Sequence, residues 1–306
     1  MLEWLIFAMI LDALMGEPRV LWSTLPHPAA LMGRAVEALD SRLNHSANRR
    51  FKGAVALAVL VAGALIVGAL ISALPDRGLI EGVIAAVLIA QRSLVEHVNA
   101  VAAGLRRSLT EGRRAVSMIV GRDPEQLDEN AVARAAIESA AENLSDAVVA
   151  PLFWFLILGM PGLLLYKMVN TADSMIGHKT EKYVNFGYAA AKLDDLLNWI
   201  PARITGFLIC LAYLSQKAMN VMVYQADLHR SPNAGWPEAA MAGVLEIALS
   251  GPRTYDGEVS DEPYLNPSGR RDLIATDVDD AVKVLFRTVL VVAAILAVPT
   301  LLTLLF

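Results

Sequence analysis

Three acidic residues recur at intervals of one helical turn along one stretch of the sequence: Glu138, Glu142 and Asp146. Residues at positions i, i+4 and i+8 differ by about 40° per step around a helix axis, so they share one broad face. Asn143 lies close to that face. Like charges at this spacing repel, and a hard cation such as Mg²⁺, which takes oxygen ligands, would satisfy them. The alternative is a solvated face on which Arg134 pairs with Glu138.

A second polar set follows the next apolar stretch, with Asn170 and Asp173 within one helical turn and Lys179 shortly after them. The glycine and lysine of this segment superficially suggest a phosphate-binding loop. They do not form a Walker motif, because Ala172 and His178 occupy two of its required positions. Lys179 is therefore a candidate phosphate contact, and the alternative is a lysine that only anchors the chain at a membrane interface.

A third polar set consists of Asp194, Asp195, Asn198 and Arg203, and leucines between them give the same short helix an apolar face. Carboxylates at such a place can accept protons, and a guanidinium can bind phosphate. The alternative is an ordinary helix end, with Arg203 reaching toward lipid headgroups.

Two turns bounded by prolines complete the candidate residues. The run 231–238 carries Asn233 and Trp236 between two prolines, which predicts a stiff loop suited to recognition; a capped turn that opens a helix is the alternative. His27 lies between two prolines, and Arg34 follows on a presumed helix. Both are candidate ligand contacts.

The elements that position these residues are membrane helices. Apolar residues make up 56% of the chain, charged residues 19%, and the mean hydropathy is +0.48, which exceeds the usual values for a soluble globular domain. Uncharged runs predict full spans near 54–74, 147–166 and 288–306. Shorter runs near 4–14, 82–91 and 204–216 predict short spans, re-entrant segments or surface helices.

The sequence thus predicts an all-α, polytopic integral membrane protein with amphipathic helices and polar loop segments, in a single helical domain 1–306. One amphipathic helix is predicted over 94–111, because its apolar residues recur at helical spacing. The net charge of −5 excludes a general nucleic-acid binder. The single cysteine, Cys210, excludes an intrachain disulfide framework.

Together these motifs resemble the membrane adenosylcobinamide-phosphate synthase family of cobalamin biosynthesis, and the match covers most of the chain. It rests on the order and number of the following segments: Leu25-Pro-His-Pro, Gly33-Arg34, Arg134-Ala-Ala-Ile-Glu-Ser-Ala-Ala-Glu-Asn, Tyr166-Lys-Met-Val-Asn-Thr-Ala-Asp-Ser-Met-Ile-Gly, Leu193-Asp-Asp-Leu-Leu-Asn-Trp-Ile-Pro-Ala-Arg and Ser231-Pro-Asn-Ala-Gly-Trp-Pro-Glu.

The resemblance implies an ATP-dependent ligase that joins aminopropanol or aminopropanol phosphate to a side-chain carboxylate of adenosylcobyric acid, with Mg²⁺ as activator. It implies catalytic roles for the acids Glu138, Glu142, Asp173, Asp194 and Asp195. It implies metal binding by Glu138, Glu142, Asp146 and Asp173. It implies substrate binding by His27, Arg34, Asn143, Asn170, Lys179, Asn198, Arg203, Asn233 and Trp236.

The implied location is the cytoplasmic membrane of a bacterium or archaeon, with a multi-pass chain and an active site that faces the cytoplasm, where ATP is available. At least one of the runs 82–91 and 204–216 is then expected not to cross fully. Assembly as a homo-oligomer is compatible with these features. The alternatives are a membrane transporter, since acids beside spans can form an ion pathway, and a non-catalytic sensory protein of the same wider family.

Overall fold

The structure is a computed structural model that describes residues 2–16, 19–45, 47–120, 124–255, 258–260 and 262–305. Its helices are α1 (Leu2–Met15), α2 (Arg19–Thr24), α3 (Pro28–Leu43), α4 (Arg49–Ser72), α5 (Leu79–Leu88), α6 (Gln91–Arg107), α7 (Leu109–Val116), α8 (Glu129–Asn143), α9 (Ala150–Ile176), α10 (Tyr188–Ala212), α11 (Gln216–Gln225), α12 (Gly235–Leu245) and α13 (Ala275–Leu305). A π-helical segment, Leu144–Val149, joins α8 to α9, and a 3₁₀ turn covers Ala226–Leu228.

The predicted all-α polytopic fold is confirmed. In the part of the chain that the structure describes, four helical stretches are long and apolar enough to cross a membrane: Arg49–Ser72, Glu129–Ile176, Tyr188–Ala212 and Ala275–Pro299. Three of them overlap the predicted full spans. The fourth replaces the short run expected at 204–216, because α10 continues through the charged residues 192–195, which interrupt the apolar pattern in the sequence.

Four strands of two or three residues were not predicted, since the run 230–271 reads as turns and loops. Leu249–Ser250 pairs with Tyr264–Leu265, and Arg253–Tyr255 pairs with Glu258–Ser260, both antiparallel. Strands this short carry no alternating pattern that a sequence could display.

The chain divides into two compact units, each assembled from separate stretches. The first unit contains residues 1–90, 150–198 and 299–306, and the second contains 91–149 and 199–298. Because the stretches interleave, no linker in the sequence marks the division.

In the first unit, α4 packs along α9, α1 packs against α5, and α3 packs against both α4 and α9. The contact between α4 and α9 is close: a β-carbon at Gly68 would lie 2.5 Å from the Cα of Pro161. Small residues of this kind allow helix backbones to approach in apolar surroundings.

Helix α9 is not one straight rod, because Gly159 has φ 66° and ψ −152°, a conformation essentially limited to glycine. A β-carbon at Gly162 would lie 2.3 Å from the carbonyl oxygen of Trp154. In a straight helix, positions eight residues apart are separated by about 12 Å along the axis. The chain therefore bends back sharply at Gly159, inside the predicted span 147–166.

In the second unit, α6 packs on α7 and α8, and α12 packs on α8 and α11. Leu94, Val98, Val101 and Leu105 are all buried, so the predicted amphipathic face of α6 lies against partner helices. The helix ends earlier than expected, because the side chain of Ser108 accepts a hydrogen bond from the Glu111 N–H and caps α7.

Candidate functional site

The first unit contains a polar network that we call the aspartate network: Tyr166, Asn170 and Asp173 from α9, and Asp194 and Asn198 from α10. The residues on each helix are spaced three or four apart, so each helix presents one polar stripe. Asn170 Nδ2 donates to Asp194 Oδ1 at 3.3 Å, and Asn198 Nδ2 donates to Asp194 Oδ2 at 3.0 Å. The buried Tyr166 hydroxyl donates to Asn198 Oδ1 at 2.9 Å. The network fixes the orientation of the Asp194 carboxylate.

Asp173 lies close enough to Asp194 for the two negative charges to repel. The end of α9 makes room for its carboxylate: a β-carbon at Gly177 would lie 1.9 Å from Asp173 Oδ1. Gly187 makes a similar approach, since its β-carbon would lie 1.6 Å from the carbonyl oxygen of Ile176. Two neighbouring carboxylates in partly buried surroundings create a site for a positive group or a proton.

Asp195, adjacent in sequence, has different surroundings. Lys192 Nζ lies 3.0 Å from Asp195 Oδ2 in an i, i+3 pair on the helix surface. The sequence left open whether Asp194 or Asp195 is the proton acceptor. Asp194 accepts the two amide hydrogen bonds of the aspartate network, and Asp195 contributes a repulsive charge beside it.

Lys179 lies exposed in the loop 177–187 that follows α9. Lys182 is held in that loop, with its Nζ 3.2 Å from Asp40 Oδ2. Hydrogen bonds to the hydroxyl of Tyr183 and then to Asp40 raise the pKa of Lys182. The backbone carbonyl of Lys182 also accepts from Asn44 Nδ2 at 3.3 Å. Asp40 and Asn44, at the end of α3, therefore stabilise the loop that contains Lys179.

The three acids of the α8 region do not share one environment, which differs from the common face predicted. Glu138 is buried, and its Oε1 accepts from the Ser250 N–H at 2.7 Å. Glu142 is exposed. Asp146 is half-buried and lies in the π-helical segment, where the spacing of an α-helix no longer applies. Asn143 donates to the carbonyl of Ser139 at 2.9 Å.

The second unit contains a stack that we call the arginine stack: Trp199, Arg203 and Trp236. The Arg203 guanidinium lies 4.2 Å from the centroid of the Trp199 ring and 4.5 Å from that of the Trp236 ring. Its Nη1 also donates to the carbonyl oxygen of Trp199 at 2.7 Å. The guanidinium therefore lies over two indole rings, a favourable cation–π arrangement. Asn233 is buried in the loop that carries Trp236.

A family profile described as CobD/Cbib protein matches residues 5–285. The chain belongs to the CobD/Cbib family. It is 50% identical over 299 residues to a "Cobalamin biosynthesis protein CobD" of Rhizobium meliloti, covering 92% of this chain and 91% of that protein. It is 47% identical over 317 residues to the protein of the same name from Sinorhizobium fredii, covering 97% of each. The Rhodobacter capsulatus protein of that name is 48% identical over 269 residues, covering 86% of each. No solved structure matches the chain.

Two predicted ligand contacts of this CobD/Cbib chain lie on α3 or at its start. His27 is the N-cap of α3, and its Nδ1 accepts from the Ala29 N–H at 3.1 Å, so one ring nitrogen has a structural role. Arg34 is exposed on the same helix. Its neighbour Gly33 faces α9, since a β-carbon there would lie 3.4 Å from Met175 Sδ.

Among the residues that the structure describes, no group of three or more His, Cys, Asp or Glu side chains is arranged to hold a metal ion. Within the second unit, the predicted metal ligands Glu138, Glu142 and Asp146 therefore do not form such a group. Mg²⁺ is usually held by one or two carboxylates together with waters and phosphate oxygens. Asp173, with Asp194 beside it, fits that requirement, and the metal assignment stays a prediction.

The structure divides the predicted site residues between the units. His27, Arg34, Asn170, Asp173, Lys179, Asp194, Asp195 and Asn198 belong to the first, and Glu138, Glu142, Asn143, Asp146, Arg203, Asn233 and Trp236 belong to the second. Sequence reasoning missed Tyr166 and Trp199. Tyr166 lies one turn before Asn170, and Trp199 lies one turn before Arg203, so helical spacing from a chosen residue would have found both.

Proposed function

We propose that this CobD/Cbib chain acts in cobalamin biosynthesis as an ATP-dependent amide ligase. In the proposed reaction it joins aminopropanol or aminopropanol phosphate to a side-chain carboxylate of adenosylcobyric acid and yields adenosylcobinamide or its phosphate. The single observation that carries the proposal at the site is the pair of neighbouring carboxylates Asp173 and Asp194, of which Asp194 is oriented by two amide hydrogen bonds. Membership of the CobD/Cbib family and the names of the relatives support the pathway.

The proposed chemistry needs an activated carboxylate, because a free carboxylate has no leaving group for an amine to displace. The corrinoid carboxylate oxygen attacks the γ-phosphorus of ATP, which gives an acyl phosphate and ADP. The amine nitrogen then attacks the acyl carbon and expels inorganic phosphate. The products are the amide, ADP, phosphate and the proton released from the ammonium form of the amine.

Asp194 is the residue that we propose takes this proton. Its two oxygens are oriented by amide groups of Asn170 and Asn198, so the carboxylate stays fixed while its remaining lone pairs accept from the ammonium. A positioned general base of this kind contributes about 10²–10⁴-fold to a rate.

Asp173 is the residue that we propose holds Mg²⁺, which when bound would neutralise charge on the phosphates of ATP. Lys179, exposed after α9, and Arg203, with its fork of donors, are the proposed phosphate contacts. A positive group that is already fixed beside a developing negative charge stabilises the transition state, because the surrounding dipoles need not reorient during the reaction.

The corrinoid is broad and amphipathic. We propose that it contacts the indole of Trp236 and the polar loop around Asn233. Because ATP is cytoplasmic, the proposed site faces the cytoplasm from the cytoplasmic membrane. Among the described residues, four helices of spanning length support the membrane location of the chain itself.

The direct test uses the purified full-length chain with ATP, Mg²⁺, adenosylcobyric acid and either aminopropanol or its phosphate. Mass spectrometry is expected to detect the amide, with ADP formed in equal amount and only when both organic substrates are present. ATP hydrolysis without amide, or amide formation without ATP, would overturn the proposed reaction.

A further inference from the structure

The indoles of the arginine stack do not use up the hydrogen-bonding capacity of Arg203. A guanidinium has five N–H donors in one plane, and the indoles of Trp199 and Trp236 contact it through their rings rather than through hydrogen bonds. One donor, on Nη1, is used by the carbonyl of Trp199. Asp227 contributes a negative charge near the guanidinium, and the donors that Trp199 does not use keep the fork geometry that recognises a carboxylate or a phosphate.

The loop that supplies Trp236 is built by side chains that bond to its backbone. His229 Nδ1 accepts from the Ser231 N–H at 3.0 Å. Ser231 Oγ accepts from the N–H groups of Asn233 at 3.3 Å and of Ala234 at 3.2 Å. Loops ordered in this way keep one conformation, because their backbone donors are satisfied within the loop.

Two glycines let this loop approach its neighbours closely. A β-carbon at Gly235 would lie 2.1 Å from the carbonyl oxygen of Ala226 and 2.7 Å from Cβ of His229. A β-carbon at Gly206, on α10, would lie 2.9 Å from the carbonyl oxygen of Trp236. The backbone at Trp236 is therefore fitted against the helix that carries Arg203.

A buried pair closes the loop, with His229 before it and Glu238 after it. His229 Nε2 lies 3.7 Å from Glu238 Oε1, and the two side chains are 6% and 4% exposed. Because Nδ1 accepts a hydrogen bond from Ser231, the proton of the neutral imidazole is on Nε2, which faces the carboxylate.

We infer that His229 and Glu238 are a positioning pair that holds the indole of Trp236 against Arg203, and thereby holds the edge of the guanidinium ready for an anionic group of a substrate. The pair flanks the loop that carries Trp236, and it is through the placement of that indole that we propose it acts on the guanidinium. The inference rests on the proposed function only for the identity of that anion: a phosphate of ATP or a carboxylate of the corrinoid.

The test is a double-mutant cycle between Glu238→Ala and Arg203→Lys in the full-length chain. Lysine keeps the positive charge but loses the stacked planar fork. Glu238→Ala is expected to raise the KM for ATP or for adenosylcobyric acid about tenfold and to change kcat by less than about twofold, the pattern of lost ground-state binding. In the Arg203→Lys background it is expected to add less than about twofold, because coupled residues are not additive.

Two further variants distinguish a positioning role from a general loss of structure caused by the substitution. Glu238→Gln keeps the size of the side chain and a polar oxygen opposite His229 Nε2, so it is expected to restore KM to within about threefold of the wild type. Glu246→Gln changes an exposed glutamate, paired with Lys217, at the end of the same helix and is expected to change neither KM nor kcat.

Equal losses in both backgrounds, or an unchanged KM in Glu238→Ala, would overturn the inference while leaving the proposed function intact. If the wild type forms no amide, the proposed function fails, and the same cycle is measured by equilibrium dialysis of ATP and of adenosylcobyric acid. A dissociation constant that rises in Glu238→Ala but not further in the double variant then supports the positioning role, and wild-type protein that binds neither compound overturns it.

Discussion

Asn198 joins Tyr166 to Asp194, because its amide oxygen accepts from the Tyr166 hydroxyl and its amide nitrogen donates to Asp194 Oδ2. This relay connects the buried interior of the first unit to the carboxylate that we propose as the base. The side chain of Asn198 is itself almost fully buried, so its two hydrogen bonds have no solvent to replace them.

The two aspartates of the network and their neighbour Asp195 give a matched series of variants. We expect Asp173→Asn and Asp194→Asn to lower the rate of amide formation at least about 100-fold, since a positioned base or metal ligand contributes on that scale. Asp195→Asn removes a carboxylate that pairs with Lys192 on the surface and should keep the rate within about twofold. The assay is mass-spectrometric quantification of amide from protein shown to be folded. Equal effects in all three variants would contradict the distinction between Asp194 and Asp195.

Tyr166→Phe tests the relay with the loss of one oxygen atom. The change leaves the Asn198 amide oxygen without its buried donor, which should destabilise the protein by about 1–3 kcal/mol. Activity should also fall, because Asn198 then orients Asp194 less firmly. Thermal unfolding in detergent measures the first effect and amide formation measures the second. Tyr224→Phe is the control, since Tyr224 is 80% exposed and should change neither. A stable and fully active Tyr166→Phe protein would remove the relay from the site.

Gly177→Ala tests the placement of Asp173. The added β-carbon would lie 1.9 Å from Asp173 Oδ1 and 2.7 Å from the carbonyl oxygen of the same residue, so the carboxylate must move. We expect the rate of amide formation to fall about tenfold or more, because an error of about 1 Å in a positioned group costs on the order of 10²-fold. Gly63→Ala is the matched control, as a β-carbon there meets no atom within 4 Å. A Gly177→Ala enzyme with normal kinetics would show that Asp173 need not hold its present position.

The sequence contained the residues of the aspartate network but not the way they meet. Asn170, Asp173, Asp194 and Asn198 were identifiable because polar residues recur at helical spacing within otherwise apolar stretches. Which faces of α9 and α10 would meet could not be inferred, since the intervening loop 177–187 has no pattern that sets their rotation. Tyr166 was missed for the same reason. A tyrosine within an apolar run is interpreted as a core residue until its hydrogen-bond partner is known.

Long-range contacts and the reversal of the backbone at Gly159 could not be predicted from the sequence either. Glu138 appeared to be part of an acidic face, but its partner is the backbone of Ser250, which lies 112 residues away. The bend at Gly159 was hidden because a glycine and a proline within an apolar run also fit a kinked span. The face of α6 was predicted correctly, since its periodicity is local and its burial does not depend on which helix covers it.

Glu138→Gln is expected to act on stability and not on the requirement for metal. The neutral amide accepts more weakly from the Ser250 N–H, and a hydrogen bond to a charged group is worth about 1.5–3 kcal/mol. Unfolding in detergent should therefore occur at a lower temperature, while the Mg²⁺ concentration that gives half-maximal rate should stay within about twofold. Glu142→Gln, at an exposed position one turn later, should leave stability unchanged. A large rise in the Mg²⁺ requirement of Glu138→Gln would restore Glu138 as a metal ligand.

The final prediction separates the role of Asp173 from that of Asp194 by titration with Mg²⁺. If Asp173 holds the ion, Asp173→Asn should raise the Mg²⁺ concentration for half-maximal rate about tenfold or more, because an amide oxygen is a weaker ligand than a carboxylate for a hard cation. If Asp194 accepts the proton, Asp194→Asn should lower kcat and leave that Mg²⁺ concentration within about twofold. The titration is performed at saturating ATP and amine, with total Mg²⁺ kept above the ATP concentration so that free ion is the variable. Asp195→Asn, measured beside them, reports the effect of removing one nearby negative charge while Asn170 and Asn198 still donate to Asp194. An equal shift in Asp173→Asn and Asp194→Asn would mean that the two carboxylates bind one positive group together, and the assignment of separate roles would then be wrong.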